Sequence, residues 1–330
     1  ASCPQPTALF EVPRGARTGR GPDIIRALYL CRQCTYHYPF TMALPHDPLW
    51  PRAASLFSQE KSGSSDVTVV GIPASRTSLS PTSAHETPDA IRSALQRYST
   101  AHSDPRVSLT QLSLRDAGNT SSPDSDETSV ISELSTLMAE TALLLSLGGD
   151  NSITYAGVKG TEATGLITFD AHYDLRDEVS NGSPVRRLIE AGLDGKKVVQ
   201  IGIADFSNSS EYAKRAKDFG ITVIPRSSLR SRSVSDVWAE AISIAGGKTF
   251  VDFDMDVCDR SVVPACPAAA PGGISADEIR QFAFMAGSSP SVIGADITEI
   301  DSTKDSSDER TVRLAALVVL ELIAGYSTRE

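Results

Sequence analysis

ITFDAHYDLRD, residues 167–177, is the stretch on which the reading of this chain turns. A β-prone, mostly apolar run, Leu166 to Phe169, leads straight into Asp170, His172 and Asp174, three groups that are costly to bury. Runs this short and apolar suit strands covered on both faces, as in parallel sheets. The same design recurs at VTVVGIP (67–73), LLLSLGG (143–149), GLITFD (165–170), KVVQIGI (197–203), GITVIP (220–225), KTFVDFD (248–254) and SVIGAD (291–296). Helical patterns lie between them. TPDAIRSALQRY (87–98) has a Thr-Pro start, SSEYAKRAKDFG (209–220) ends on glycine, and SADEIRQFAFMAG (275–287) has a Ser cap and a closing glycine. SVSDVWAEAISIAGG (233–247) is a further helix, and DETSVISELSTLMAETALLL (126–145) starts as a helix and runs towards the next strand. The Ser-rich stretch 103–129 reads as surface loop around a short strand near 107–114. Strands alternating with helices predict a mostly parallel sheet with helices on both faces.

Bulk composition narrows the function. A net charge of −10 leaves no basic face of the kind a phosphate backbone requires, so nucleic acid is not expected as a partner. No apolar run approaches bilayer length, and the longest, Leu314 to Ala324, is interrupted by Glu321 and reads as a buried terminal helix. No membrane partner is expected, and the expected location is cytoplasmic. Cysteines at 3, 31, 34, 258 and 266 do not form a disulfide framework. Cys31 and Cys34 make a lone CxxC without a second pair, and no zinc or redox chemistry is assigned to it. Residues 1–41, with PRGARTGRG and no periodicity, read as a disordered extension or as sequence ahead of a true start at Met42. Residues 42–330 read as one catalytic domain.

In open parallel sheets, ligands bind beyond the carboxyl ends of the strands. Four runs finish in polar groups: Gly148-Gly149-Asp150-Asn151; Asp170, His172 and Asp174; Asp252, Asp254 and Asp256; Asp296 and Glu299. Two like charges about 4 Å apart repel by roughly 4 kcal/mol at an effective dielectric of about 20. Either several of these carboxyls are protonated or cations neutralise them. In extended chain, period-two spacing puts Asp170, His172 and Asp174 on one face, and likewise Asp254 and Asp256. Carboxylate oxygens with one imidazole suit manganese, magnesium or a related cation better than structural zinc. Ions bridged by shared carboxylates polarise a water towards hydroxide near neutral pH.

These residues resemble the ureohydrolase or arginase family, whose pattern runs GGDH, DAHxD, a DxDxxD segment before a Pro/Gly-rich loop, and DxxE near the C-terminus. Here the motifs read GGDN (148–151), DAHYD (170–174), DMDVCD (254–259) followed by PAAAPGG (267–273), and DITE (296–299), in the family's order over residues 66–326. The resemblance implies a three-layer α/β/α sandwich around a sheet of about eight strands and a centre holding a pair of Mn2+ ions. It implies that Asp170 and Asp254 bridge the ions, that Asp174 and position 151 complete the first site, and that His172 and Asp256 complete the second. It further implies a metal-bridging hydroxide as nucleophile, with Asp174 orienting it and moving its proton, and Glu299 against the cationic amidine or guanidine.

The segment SNGSPVRRLIEAG (180–192) has no histidine and is similar to the formiminoglutamase branch rather than to arginases. That likeness implies Asn181, Ser183 and one of Arg186 or Arg187 on the substrate carboxylates, a role the planar guanidinium fork suits. Arg176 is a further candidate. The implied reaction is hydrolysis of N-formimino-L-glutamate to L-glutamate and formamide. An agmatinase-like or other guanidino hydrolase is the alternative, and a non-catalytic binding or regulatory subunit is the alternative of another class. A homo-oligomer, trimer or hexamer, is implied by the family. Asn151 departs from the family histidine. Its carbonyl oxygen suits hard cations, but it lacks the imidazole lone pair, so the first metal site is expected to be weakened, leaving a functional weak site, a one-metal enzyme or an inactive descendant. Arg260 replaces a proline after Asp259, and Asp252 adds a charge that suits a supporting position behind the ligands. His85, in SPTSAHETP, reads as an ordinary loop histidine, and His37, His46 and His102 have no supporting constellation.

Overall fold

The computed structural model describes residues 47–58 and 63–329; residues 1–41, Met42 and His46, with the CxxC and His37 among them, lie outside the described residues. The apolar runs become strands: β1 (Phe57–Ser58), β2 (Ser65–Ile72), β3 (Leu114–Asn119), β4 (Thr141–Gly148), β5 (Gly165–Phe169), β6 (Val198–Ile201), β7 (Thr222–Ile224), β8 (Thr249–Asp254) and β9 (Val292–Thr298). Between them run α1 (Thr87–Leu95), α2 (Glu127–Met138), α3 (Ile153–Thr161), α4 (Pro184–Glu190), α5 (Ser210–Phe219), α6 (Val234–Ala245), α7 (Ala276–Ser288) and α8 (Arg310–Tyr326). One sheet forms in the order β1-β3-β2-β4-β9-β8-β5-β6-β7, with every neighbouring pair parallel. β1 is a two-residue edge, so the sheet is in essence the expected one.

Alternation along each strand sorts the side chains into two cores. Leu143, Leu145 and Leu147 of β4, Ile167 and Phe169 of β5, and Val251 and Phe253 of β8 pack with Ile91 of α1, Trp238 of α6, Phe282 of α7 and Val318 of α8. On the opposite face, Leu144 meets Leu134 of α2 and Ala156 of α3. Leu166 and Phe250 meet Val158 of α3, Leu188 of α4 and Ala216 of α5. Each large apolar side chain buried in this way contributes roughly 1.5–3 kcal/mol. The result is the three-layer α/β/α sandwich.

The local signals behave as their chemistry predicts. Ser275 and Glu278 form a reciprocal capping box at the start of α7. Gly220, at φ +79, closes α5 in the left-handed region. Glu321, which interrupts the apolar run of α8, pairs with Arg280 of α7 at 2.6 Å. None of the described helices is long and apolar enough to cross a membrane. The strand expected near 107–114 is displaced: Leu109–Gln111 is a 3-10 turn, and the strand is β3. Its sequence, LRDAGN, alternates towards solvent near the sheet edge, so it lacks the apolar run that marks the central strands. The stretch 126–145 starts as helix α2, which stops at Met138, and runs through Ala139 and Glu140 into β4, as expected.

The order of strands places the site. β4, β9, β8 and β5 are consecutive neighbours in the middle of the sheet, although β4 and β5 are adjacent in sequence. The four polar strand ends are therefore brought side by side.

Candidate metal centre

Loops, not the pleat, aim the acidic side chains. β5 ends at Phe169, and Asp174 sits at φ +52, so residues 170–174 do not continue as extended chain. After Asp254 the chain turns through the 3-10 turn Met255–Val257, and the Asp254 carboxylate accepts from the Asp256 N–H at 2.9 Å. The common face inferred from period-two spacing is thus corrected: these side chains converge because their loops fold back over the strand ends. Glu299 is left-handed as well, at φ +62. Such conformations cost an L-residue roughly 1 kcal/mol or more. Gly149 is required by close approach, since a Cβ there would lie 1.8 Å from the carbonyl oxygen of Ala74.

The convergence itself holds. His172 Nδ1 lies 3.0 Å from Asp256 Oδ2 and 3.4 Å from Asp170 Oδ1. The Ala171 N–H donates to Asp256 at 3.1 Å, tying the loop after β5 to the loop after β8. Asn151 donates from its side-chain amide to Asp174 at 2.5 Å, and its backbone N–H donates to Glu299 at 2.8 Å. Asn181 donates to the same Glu299 oxygen at 2.8 Å. Asn151, Asp170, Asp174, Asp254, Asp256 and Glu299 are all buried, and His172 is half-buried.

Burial of so many acids with one imidazole distorts their acidities. Burial, then the neighbouring Asp256 charge, pushes Asp170 up to about 6. Burial, then Asp170, holds Asp174 well above the usual carboxylate range, and burial, then Asp256, does the same to Asp254. Burial lifts Glu299 to about 7 against the pull of the Asn181 and Asn151 hydrogen bonds. Burial alone would lower His172, but Asp256 and Asp170 outweigh it and push the imidazole up to about 12. In return His172 overcomes burial at Asp256 and keeps that carboxyl below its ordinary value. The site is therefore short of positive charge.

These residues fit a divalent cation. Ligand atoms of Asp170, His172 and Asp256 all lie within 4.8 Å of one another. Asp170 Oδ2 is buried with no hydrogen-bond partner among the described residues. The donor chemistry, oxygen-rich with one imidazole, is that of manganese-type sites. Asn151 turns its amide nitrogen to Asp174, while its carbonyl oxygen accepts from the hydroxyls of Thr154 and Thr298, each at 2.9 Å.

A cavity of about 330 Å3 opens over His172, Asp174, Asp254, Asp256 and Glu299. Of the residues expected to bind substrate, Asn181 and Glu299 line it. Ser183 does not: its buried hydroxyl accepts from the Ser180 N–H and donates to the Ser180 carbonyl. Arg187 also lies outside the lining, paired with Glu127 at 2.6 Å and stacked 3.8 Å over Tyr155. Arg186 donates to the carbonyls of Arg176 and Asp177 and pairs with Glu190, so it fastens the loop instead of facing the cavity. The arginine among the lining residues is Arg176. Its stem packs on Gly182, where a Cβ would lie 2.7 Å from Arg176 Cδ. Sequence reasoning missed Tyr173, Tyr212 and Asn208, which also line the cavity. Asn208 clamps the 171–173 loop, accepting from the Tyr173 N–H and donating to the Ala171 carbonyl. His85 is exposed and lies outside the lining, 3.4 Å from Ser75. Arg260 donates to the carbonyls of Cys266 and Pro267, holding the loop whose Pro267 and Ala268 form part of the cavity wall.

The sequence profile of the arginase family matches residues 65–325. The chain belongs to the arginase family. Within that family it is 36% identical over 275 residues to the formimidoylglutamase of Halalkalibacterium halodurans, covering 78% of this chain and 86% of that protein. The crystal structure of formimidoylglutamase from Bacillus subtilis superimposes with a TM-score of 0.82 at 28% identity, covering 88% of this chain and 98% of that one. That of Trypanosoma cruzi formiminoglutamase with Mn2+ gives a TM-score of 0.78 at 26% identity, covering 85% of this chain and all (100%) of that one. The arginase-family fold and the candidate metal site thus coincide in one chain.

Proposed function

We propose that this chain is a manganese-dependent amidinohydrolase that converts N-formimino-L-glutamate and water to L-glutamate and formamide. The observation that carries the reading is the cavity itself, whose lining holds the carboxylates Asp174, Asp254, Asp256 and Glu299 together with one arginine, Arg176. An amidine cation seeks the first and a substrate carboxylate the second. Asp170, His172, Asp174, Asp254 and Asp256, with Asn151 behind Asp174, are the residues that would hold a pair of ions. When bound, the ions supply charge neutralisation and a water acidic enough to be nucleophilic near neutral pH.

The remaining steps belong to side chains. Glu299, held by Asn181 and the Asn151 N–H, faces the cavity and pairs with the amidine nitrogens. Arg176 pairs with a glutamate carboxylate and so aligns the formimino carbon with the acidic wall. Water adds to that carbon, the bond to the glutamate nitrogen breaks, and the departing nitrogen takes up a proton. Asp174, lining the cavity beside the other carboxylates, is the group suited to move that proton. A diamine such as agmatine would set its distal ammonium against Arg176, which disfavours the agmatinase-like reading.

The test is a substrate panel on the manganese-loaded chain, comparing N-formimino-L-glutamate, agmatine, arginine and guanidinobutyrate. Formamide release from the first, with no urea from the others, is the expected result. Urea from agmatine, or no turnover of any amidine by a chain shown to bind manganese, would sink the proposal.

A further inference from the structure

Behind the metal centre lies a second buried acidic layer, Asp252 with Asp296. Ser146, Asp296, Asp252 and Thr168 stand in register on β4, β9, β8 and β5. Ser146, Asp296 and Asp252 each sit two residues before the end of their strand and Thr168 one residue before, so within β9 and β8 the pleat points Asp296 and Asp252 to the same face as Thr298 and Asp254. Asp252 and Asp296 are 1% exposed, and Asp252 Oδ2 and both Asp296 oxygens have no hydrogen-bond partner among the described residues. Thr298 joins the two layers: its hydroxyl donates to the Asn151 carbonyl at 2.9 Å and lies 3.5 Å from Asp252 Oδ1. The Thr154 hydroxyl also meets the Asn151 carbonyl at 2.9 Å, and Asp296 lies close enough to feel it, without a hydrogen bond between them in this arrangement.

Asparagine has one accepting end and one donating end. Facing a bare Asp174 carboxylate, it must offer the nitrogen, and the oxygen then takes the threonine hydroxyls, as observed. With a cation between Asn151 and Asp174 the oxygen must face the cation, which turns the amide nitrogen towards Thr154 and Thr298. Both hydroxyls must then accept from the amide and send their own protons elsewhere. The acceptors within reach are Asp252 and Asp296. A carboxyl pair sharing a proton still presents free acceptor oxygens, so the exchange does not depend on which of them is ionised.

We propose that Asp252 and Asp296, acting through Thr298 and Thr154, are positioning residues that orient the Asn151 carboxamide and thereby set the affinity of the metal position it shares with Asp174. The proposal rests on the metal-dependent reading above. It explains why a residue with weak affinity for transition metals stands at this position beside a supernumerary buried acid. Outer hydrogen-bond partners of metal ligands are commonly worth about tenfold to a hundredfold in affinity.

The experiment is manganese titration of the metal-free full chain by calorimetry, with electron paramagnetic resonance to follow coupled ions. It compares wild type, Thr298→Val, Thr298→Ser and Asp252→Ala, with Thr154→Val in place of any variant that fails to fold. Thr298→Val and Asp252→Ala are expected to weaken one ion by at least about tenfold and leave the other at its wild-type constant, while Thr298→Ser behaves as wild type. Unchanged constants in the Val and Ala variants overturn the proposal. So does equal loss of both ions, or a Thr298→Ser as weak as Thr298→Val, either of which means a packing role. A wild-type chain that binds no manganese overturns both this proposal and the reading beneath it, whereas normal wild-type binding with unaffected variants overturns this proposal alone.

Discussion

Removing the cations should invert the usual pH dependence of stability. In the metal-free chain Glu299 is raised to about 7 from 4.5, Asp296 to about 7 from 3.8 and Asp170 to about 6 from 3.8, with burial the first cause in each. A carboxyl raised by folding binds its proton more tightly in the folded chain. Its stabilising contribution is complete below the unfolded value near pH 4 and is lost as pH rises through the folded value near 6 to 7. His172, raised to about 12 from 6.5, has the same sign at higher pH. Asp256, lowered, has the opposite sign, but only as pH falls through the low range in which it titrates. For Glu299 alone the loss between about pH 5.5 and about pH 8 is roughly 2 kcal/mol. The acids share charges, so their effects do not add, and one group's loss is taken as the minimum. At roughly 2–4 °C per kcal/mol for a domain of this size, the Tm should drop by roughly 4–8 °C. Calorimetry of the chelator-treated chain measures it. Excess manganese should reverse the slope, because the ligands shed protons to bind it, and should add about 2.7 kcal/mol at a hundredfold excess over Kd. Glu299→Gln, which cannot titrate, should make the metal-free curve shallower and so separates this effect from general charge repulsion. A metal-free Tm that is flat or rises over this range would refute the reasoning.

Three further outcomes follow from the same geometry. Arg176→Met should raise KM for formiminoglutamate by about tenfold to a hundredfold with little change in kcat, as loss of one charged hydrogen-bonding partner implies, whereas Arg187→Met should leave KM alone; steady-state kinetics on both decides between them. Asn151→His should tighten manganese binding at that position by about tenfold, since imidazole is the better ligand for such ions, and a titration showing weaker binding would count against Asn151 as a ligand. Gly149→Ala puts a Cβ 1.8 Å from the Ala74 carbonyl oxygen, so denaturant unfolding should show a loss of about 3 kcal/mol or more.

The central strands were legible because burial on both faces leaves unbroken apolar runs, and in this fold those runs are also the strands that border the site. What escaped notice was structure whose local signal is weak. β3 carries charged residues towards solvent and reads as loop. Helix α3 contains two glycines that a propensity argument penalises, yet each is there for packing: a Cβ on Gly157 would meet the Phe250 ring at 2.5 Å, and one on Gly160 would meet Leu134 at 2.6 Å. Tertiary fit overrides propensity at both positions.

The acidic wall and the substrate arginine differ in how far sequence spacing could place them. The carboxylates sit within a few residues of buried strands, and a strand end has little freedom, so even a mistaken argument from alternation led to the right cavity. Arg186 and Arg187 sit on α4, one turn beyond a loop, and which face of a short helix meets the cavity depends on that loop's path. Here the path spends both guanidiniums on scaffold: Arg187 binds Glu127 of α2, and Arg186 binds the carbonyls of Arg176 and Asp177. Fixing those carbonyls holds the loop from which Arg176 reaches the cavity. Arg186 and Arg187 therefore act one step back from the substrate, and removing Arg186 should disturb KM only through the mobility of the Arg176 loop.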